Sequence, residues 1–338
     1  MTGFGGWDMP LDYGSVVAEH RAVRDGCGVF DLSHLGTLRV EGAGAGEAVQ
    51  RAFTNDVGAL PVGRAHYSLC LDDQGGIVDD LLVYHLDWGY FVVPNAANSP
   101  AVQGSLERCA QLVGNATVTD VKDDLACLAI QGPQAFEIAG QAGVEATDMD
   151  YLDCRALEGT GVLARSGYTG ERGIEAFVPA EGSGALWDRL MESGTEPAGL
   201  GSRDTLRLEM GYPLHGNDIS RDTSPVEASL GWAVKPTTDF VGRDAYVRAR
   251  EAGPSRKLWG LRVVERGVPR AHCAVQRDGE TVGETTSGTF SPTLRHGIAL
   301  GYLSAEVTKG EAVQIDVRGK PLTAEVVRPP FVDADPRR

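Results

Sequence analysis

The chain has no run approaching the roughly 20 apolar residues that a membrane-spanning helix requires, which excludes a helical membrane span. Positive charge is in short supply. Lys and Arg number 31 against 47 Asp and Glu, and the net charge of -16 argues against nonspecific binding to nucleic acid or to anionic membranes. Lysine occurs only five times. The six cysteines, Cys27, Cys70, Cys109, Cys127, Cys154 and Cys273, form no CxxC pair and lie far from any histidine cluster, so neither a disulfide framework nor a structural metal is expected. GxSxG, P-loop and HExxH signatures are all missing, and none of the seven histidines has a spacing partner for a triad or a metal site. Covalent catalysis and metal-assisted hydrolysis therefore find no support. The first ten residues carry neither the basic segment nor the apolar run of a signal peptide, and a cytoplasmic protein with reduced thiols is the expectation.

What the chain does have is two adjacent carboxylates, Asp79 and Asp80, inside the apolar stretch Ile77-Val78-Asp79-Asp80-Leu81-Leu82-Val83-Tyr84. With a period of two, Asp79 shares a face with Ile77, Leu81 and Val83, and Asp80 shares one with Val78, Leu82 and Tyr84. Neither has an obviously wet side. Carboxylates so placed are costly unless paired, hydrogen-bonded or protonated, and such acids concentrate at working sites. The plainer reading is that one of them accepts amide protons from the Gly75-Gly76 turn; it suits one aspartate better than both.

At 338 residues the chain is long enough for two or three domains. Residues 15–25 read as a helix stopped by Gly26 and Gly28, with strands at 29–33 and 37–40. The glycines at 42, 44 and 46 imitate a dinucleotide fingerprint, but Glu47 stands where the last glycine belongs and no parallel βαβ unit follows, so they read as a turn and helix start. A meander spans 66–94. A hairpin joins 162–164 to 174–178 through a glycine-rich connection, and 183–191 and 202–210 look helical. Beyond a linker at 251–255 the pattern is short strands, with turns expected at Arg277-Asp278-Gly279, Ser287-Gly288 and Arg318-Gly319, the size of a small barrel.

Other candidates carry two readings each. Arg203 and Arg207 share a helix face, which suits a bound anion opposite them or, as the better explanation from spacing, an internal salt-bridge network. Glu171 sits on a glycine-fixed loop, where a carboxylate suits bidentate recognition of a ring N–H beside an exocyclic amine, or simply caps the turn. Asn95 could meet a ligand or cap the turn that follows it.

The segments are more specific together than apart. Gly6-Trp7-Asp8-Met9-Pro10, Val29-Phe30-Asp31-Leu32-Ser33-His34, Thr54-Asn55-Asp56-Val57, Gly75-Gly76-Ile77-Val78-Asp79-Asp80-Leu81, Gly167-Tyr168-Thr169-Gly170-Glu171, Ser202-Arg203-Asp204-Thr205-Leu206-Arg207-Leu208-Glu209 and Thr286-Ser287-Gly288-Thr289-Phe290-Ser291-Pro292-Thr293 occur in an order and spacing that resembles the aminomethyltransferase (T-protein) family of the glycine cleavage system over nearly the whole chain. The resemblance implies an α+β fold of three domains arranged as a cloverleaf around a central channel. Residues 1–249 would form two interleaved folate-binding α+β domains, and residues 256–330 a C-terminal antiparallel β-barrel. It implies tetrahydrofolate as the one-carbon acceptor or donor and a lipoyl carrier protein (H-protein) as partner, with release of ammonia. By position it makes Asp79 the catalytic aspartate and Glu171 the pterin anchor, with Asn95, Val93, Arg203 and Tyr212 lining the folate site. Ser166, Arg172 and His215 depart from residues usual in the family, and His215, together with the lack of the stretch that usually precedes the Gly-Trp segment, leaves the protein partner and donor open. Specialised relatives act as folate-dependent demethylases or as one-carbon or formimidoyl transferases on a small-molecule substrate, and noncatalytic folate-binding relatives exist as well.

Overall fold

The computed structural model describes residues 1–157 and 159–337. Two sheets and a barrel carry the architecture. The first sheet takes its strands in the order Arg64–Leu71, Ile77–Leu86, Gly89–Val93, Leu38–Glu41 and Thr117–Asp120. Its first three strands are the meander read from the sequence. Helices Ala45–Ala52 and Ser99–Val113 close one of its faces, burying Val49, Phe53, Val83, Val92, Val102 and Leu106.

The second sheet is assembled from distant segments, in the order Cys154–Ala156, Val162–Ala164, Gly173–Pro179, Leu125–Gln131, Gly28–Asp31 and Glu196–Pro197. Only its last pair is parallel. Helices Ala135–Gln141 and Ser183–Glu192 cover one face around Ile130, Ile174 and Leu190. The two sheets then share a core that includes Phe30, in which Tyr84 and Phe91 of the first meet Phe177 of the second edge to face, with ring centroids 6.3 and 5.1 Å apart. Edge-to-face rings at that spacing add to simple area burial.

The C-terminal part is a closed antiparallel barrel of Arg256–Val263, His296–Ser304, Glu280–Ser291, Ala274–Arg277, Ala312–Val317 and Lys320–Val327, the last pairing back on the first. Turns fall at Asp278-Gly279 and Arg318-Gly319 as expected. Ser287-Gly288 is not a turn: both residues lie inside Glu280–Ser291, just past a register shift. The glycine is there for close approach, since a Cβ on Gly288 would lie 2.7 Å from the Pro269 carbonyl oxygen. Helix Leu200–Met210 joins the barrel to the rest through Leu208, which packs on Ile298 and Leu300.

A short hairpin, Thr2–Phe4 with Trp7–Met9, precedes these elements and was not legible in the sequence. The described cysteines are all free thiols. No described helix is long and apolar enough to cross a membrane, and no group of described His, Cys, Asp or Glu residues could hold a metal ion.

Candidate active site

Where the two sheets, the strap 211–219 and the barrel converge, they enclose a cavity of about 670 Å³. Its wall includes Val93, Asn95, Arg203 and Tyr212, four of the six residues that the sequence pointed to. The other two, Asp79 and Glu171, are not part of it. In each case another carboxylate nearby, Asp80 or Glu175, lines the wall.

Asp79 is fully buried, with its carboxylate consumed by three N–H donors: the Asn95 amide (2.9 Å), Asn95 Nδ2 (2.8 Å) and Asn98 Nδ2 (2.7 Å). It is the capped aspartate, and the donors come from the 95–98 turn rather than from Gly75-Gly76, whose amides serve Asp72 instead. Asp80, on the opposite face of the same strand, lines the cavity. It accepts from Tyr67 Oη (3.0 Å) and, more loosely, from Asn95 Nδ2 (3.2 Å). Burial raises the pKa of both carboxyls, and the Asp80 charge raises Asp79 further. Asp79 is the better hydrogen-bonded of the two, and Asp80 is the one that borders the cavity. Tyr67 stays a phenol, because burial and then the Asp80 charge push its pKa well up.

Glu171 turns away from the cavity into an ion pair with Arg24 (2.8 Å), which also pairs with Glu209 (2.8 Å). The carboxylate facing inward is Glu175, on the strand Gly173–Pro179. Ser166 Oγ donates to its Oε2 at 2.5 Å, and Tyr84 Oη lies 3.5 Å from the same oxygen. The signal for Glu175 was present in the sequence: Ile174-Glu175-Ala176-Phe177-Val178 places a lone acid in an apolar strand, as 77–84 does. Gln131 anchors this hairpin by donating to the Ser166 carbonyl at 3.0 Å. Gly167 makes that possible, since a Cβ there would fall 2.0 Å from Gln131 Oε1.

The two arginines of the helix separate. Arg207 enters an internal network, reaching Asp204 Oδ1 (2.7 Å), Asp218 Oδ2 (2.6 Å) and Ser287 Oγ (2.8 Å). Arg203 faces the cavity, lies 4.8 Å over the Tyr168 ring and forms no ion pair among the described residues. Burial lowers its pKa while the Glu175 charge raises it, and an arginine so placed still carries its charge. Tyr168 in turn stacks on Tyr212 at 5.6 Å and donates to the Pro213 carbonyl. Nearer the surface Tyr67 stacks on Trp232 (5.1 Å), which is 60% exposed. His34 and His66 line the cavity as neutral rings, each pushed down to about 4 chiefly by burial. The cavity thus offers flat aromatic walls, one carboxylate bound by a serine, a second whose pKa burial raises, and a guanidinium without an ion pair among the described residues.

Comparison with known proteins identifies the family. Residues 1–238 match the GCVT N-terminal domain, and residues 256–333 match the glycine cleavage T-protein C-terminal barrel domain. The chain is 50% identical to an aminomethyltransferase of Parafrankia sp. (strain EAN1pec), across 99% of the chain and 94% of that protein. It is 46% identical to the aminomethyltransferase of Mycobacterium tuberculosis (strain ATCC 25618 / H37Rv), across 97% of the chain and 92% of the relative. The crystal structure of glycine cleavage system aminomethyltransferase T from Bartonella henselae superposes with a TM-score of 0.94 at 36% identity, covering 99% of the chain and 94% of that structure. The chain therefore belongs to the glycine cleavage T-protein family of aminomethyltransferases.

Proposed function

We propose that the cavity transfers an aminomethyl group from the lipoyl sulfur of a carrier protein (H-protein) to tetrahydrofolate, yielding 5,10-methylenetetrahydrofolate, ammonia and the dihydrolipoyl carrier. The observation that carries this reading is the pair of inward carboxylates, Asp80 and Glu175, on separate walls of one aromatic-lined cavity. Tetrahydrofolate is the acceptor substrate and brings its own nucleophilic amines, so the protein needs no serine, cysteine or metal for the transfer.

Glu175 is suited to the pterin edge. Its two oxygens match a ring N–H beside an exocyclic amine, and Ser166 fixes the carboxylate orientation. Tyr84, Tyr168 and the Arg203 guanidinium flank the flat ring, while Val93, Asn95 and Tyr212 complete the wall. Asp80 serves the reacting end: its carboxylate stabilises positive charge that builds on the attacked methylene carbon, in a site from which most water is excluded. Asp79 acts one step back by fixing the Asn95 amide that holds Asp80. The reaction suits a protein working in the cytoplasm with its thiols reduced.

Purified protein given aminomethylated lipoyl carrier and tetrahydrofolate should release ammonia; no release beside an active control enzyme would sink the reading. Within it, Asp80→Asn should lower turnover by roughly two orders of magnitude or more. Glu175→Gln should weaken tetrahydrofolate binding by about 2 to 4 kcal/mol. Glu171→Gln should leave that affinity nearly intact, and an equal loss in both glutamate variants would refute the assignment of Glu175.

A further inference from the structure

One more ionisable group faces the cavity with a lone pair to spend. His215 sits on the strap 211–219, and its ring lines the same cavity as Asp80. Its Nε2 is 3.0 Å from the Ile77 carbonyl oxygen. A carbonyl only accepts, so Nε2 carries the hydrogen and the neutral ring keeps its lone pair on Nδ1. That nitrogen has no hydrogen-bond partner among the described residues and is not among their buried, unpartnered atoms, so it remains reachable. The anchoring carbonyl belongs to the strand Ile77–Leu86 that also carries Asp80, which ties the positions of imidazole and carboxylate together.

The surrounding groups leave His215 this role. On its own strap, Asp218 is spent on Arg207, the Leu214 amide and Thr286. On the strand, Asp79 is turned away and saturated. Across the cavity Tyr67 and Tyr168 remain phenols, their pKa values raised by burial. His34 and His66 are weak bases at about 4. Arg203 lies beside Tyr168 and holds no proton to exchange. Burial raises the Asp80 pKa, and a protonated His215 would favour its ionised form.

We propose that His215 is the proton-transfer partner of Asp80. The assignment rests on the reading of the cavity given above. As the bond forms between the acceptor amine nitrogen and the methylene carbon, and the bond from that carbon to the departing amino nitrogen breaks, His215 Nδ1 takes the proton lost by the attacking amine. The imidazolium returns it to the departing nitrogen, which leaves as ammonia; the second folate amine then closes on the same carbon as the carbon–sulfur bond breaks, and its proton goes to the lipoyl sulfur, giving the dihydrolipoyl carrier. No oxidant or reductant is consumed, and Asp80 steadies the transient positive charges.

Two measurements test this. Imidazole 15N resonances of the substrate-free protein report the His215 tautomer. The proton should reside on Nε2; a proton on Nδ1 would leave no lone pair toward the cavity and would overturn the assignment. In turnover, His215→Gln keeps a donor for the Ile77 carbonyl but has no titrating base. It should lose at least about 100-fold in kcat, with one limb of the pH–rate profile gone and KM for tetrahydrofolate little changed. Melting of the variant checks that it is folded. A profile superimposable on that of the wild type would overturn the role of His215 alone, whereas no turnover by the wild type would overturn the reading of the cavity and the transfer step with it.

Discussion

Among single residues, Glu209 shows how a buried charge is held. It is fully buried, and burial by itself would push its carboxyl up. Hydrogen bonding and charge from His20, the Arg24 guanidinium and the Ser291 hydroxyl outweigh that and bring it down to about 2. An unfolded glutamate titrates at about 4.3, so the pair contributes stability that is fully present above that value and is lost as pH falls toward 2. Glu209→Gln should therefore destabilise the protein by about 3 to 5 kcal/mol at neutral pH, and its melting curve should converge on that of the wild type near pH 2. A constant gap across that range would contradict it. Residue parity was the hardest thing to read from the sequence. The oddity of two acids at 79 and 80 was visible, yet both faces of their strand are apolar, so nothing local says which face borders a cavity and which meets the 95–98 turn. The ion pair of Glu171 was equally out of local reach: its partner Arg24 is 147 residues away.

Elements set the site by how closely they approach one another. Helices Val16–Asp25, Ser183–Glu192 and Leu200–Met210 and the meander from Arg64 to Val93 were legible because period and glycine stops are local, whereas helix Ser99–Val113 was not marked out and the order of the second sheet depends on pairings such as Gly28 with Gln131 that no local pattern encodes. One close approach governs the reactive end. Gly76 begins the Asp79-Asp80 strand with the Arg221 carbonyl oxygen only 2.0 Å from where a Cβ would lie, and the Ile77 amide donates to the Thr223 carbonyl at 3.1 Å. Gly76→Ala must push the 220–223 segment off the strand and shift the carbonyl that anchors His215. A loss of about 1 to 3 kcal/mol in stability is expected, together with a fall in turnover larger than the change in tetrahydrofolate affinity. Calorimetry and steady-state rates of the variant would show otherwise if the segment yields freely.

In the whole molecule the barrel is part of the core as well as an appendage. It supplies Ser287, Ser291 and Thr293 to the buried charges of helix Leu200–Met210, and Tyr302 donates to the Asp218 carbonyl at 2.8 Å. A chain ending at residue 250 would leave Arg207 and Glu209 without those partners and uncover Leu208. It should fail to give a cooperative melt; a sharp transition near that of the full chain would refute the point. The cavity wall has the same composite origin, with Phe4 from the N-terminal hairpin, Leu82 from the first sheet, Ser166 from a connection between strands of the second, and Leu258, Trp259 and Leu300 from the barrel. Whatever fills it touches every part of the molecule at once and becomes a noncovalent staple between them. Tetrahydrofolate at 100 times its dissociation constant should then raise the unfolding free energy by about 2.7 kcal/mol and sharpen the melt toward a single transition, so that affinity can be read by heating the protein, with no carrier present and no bond transferred.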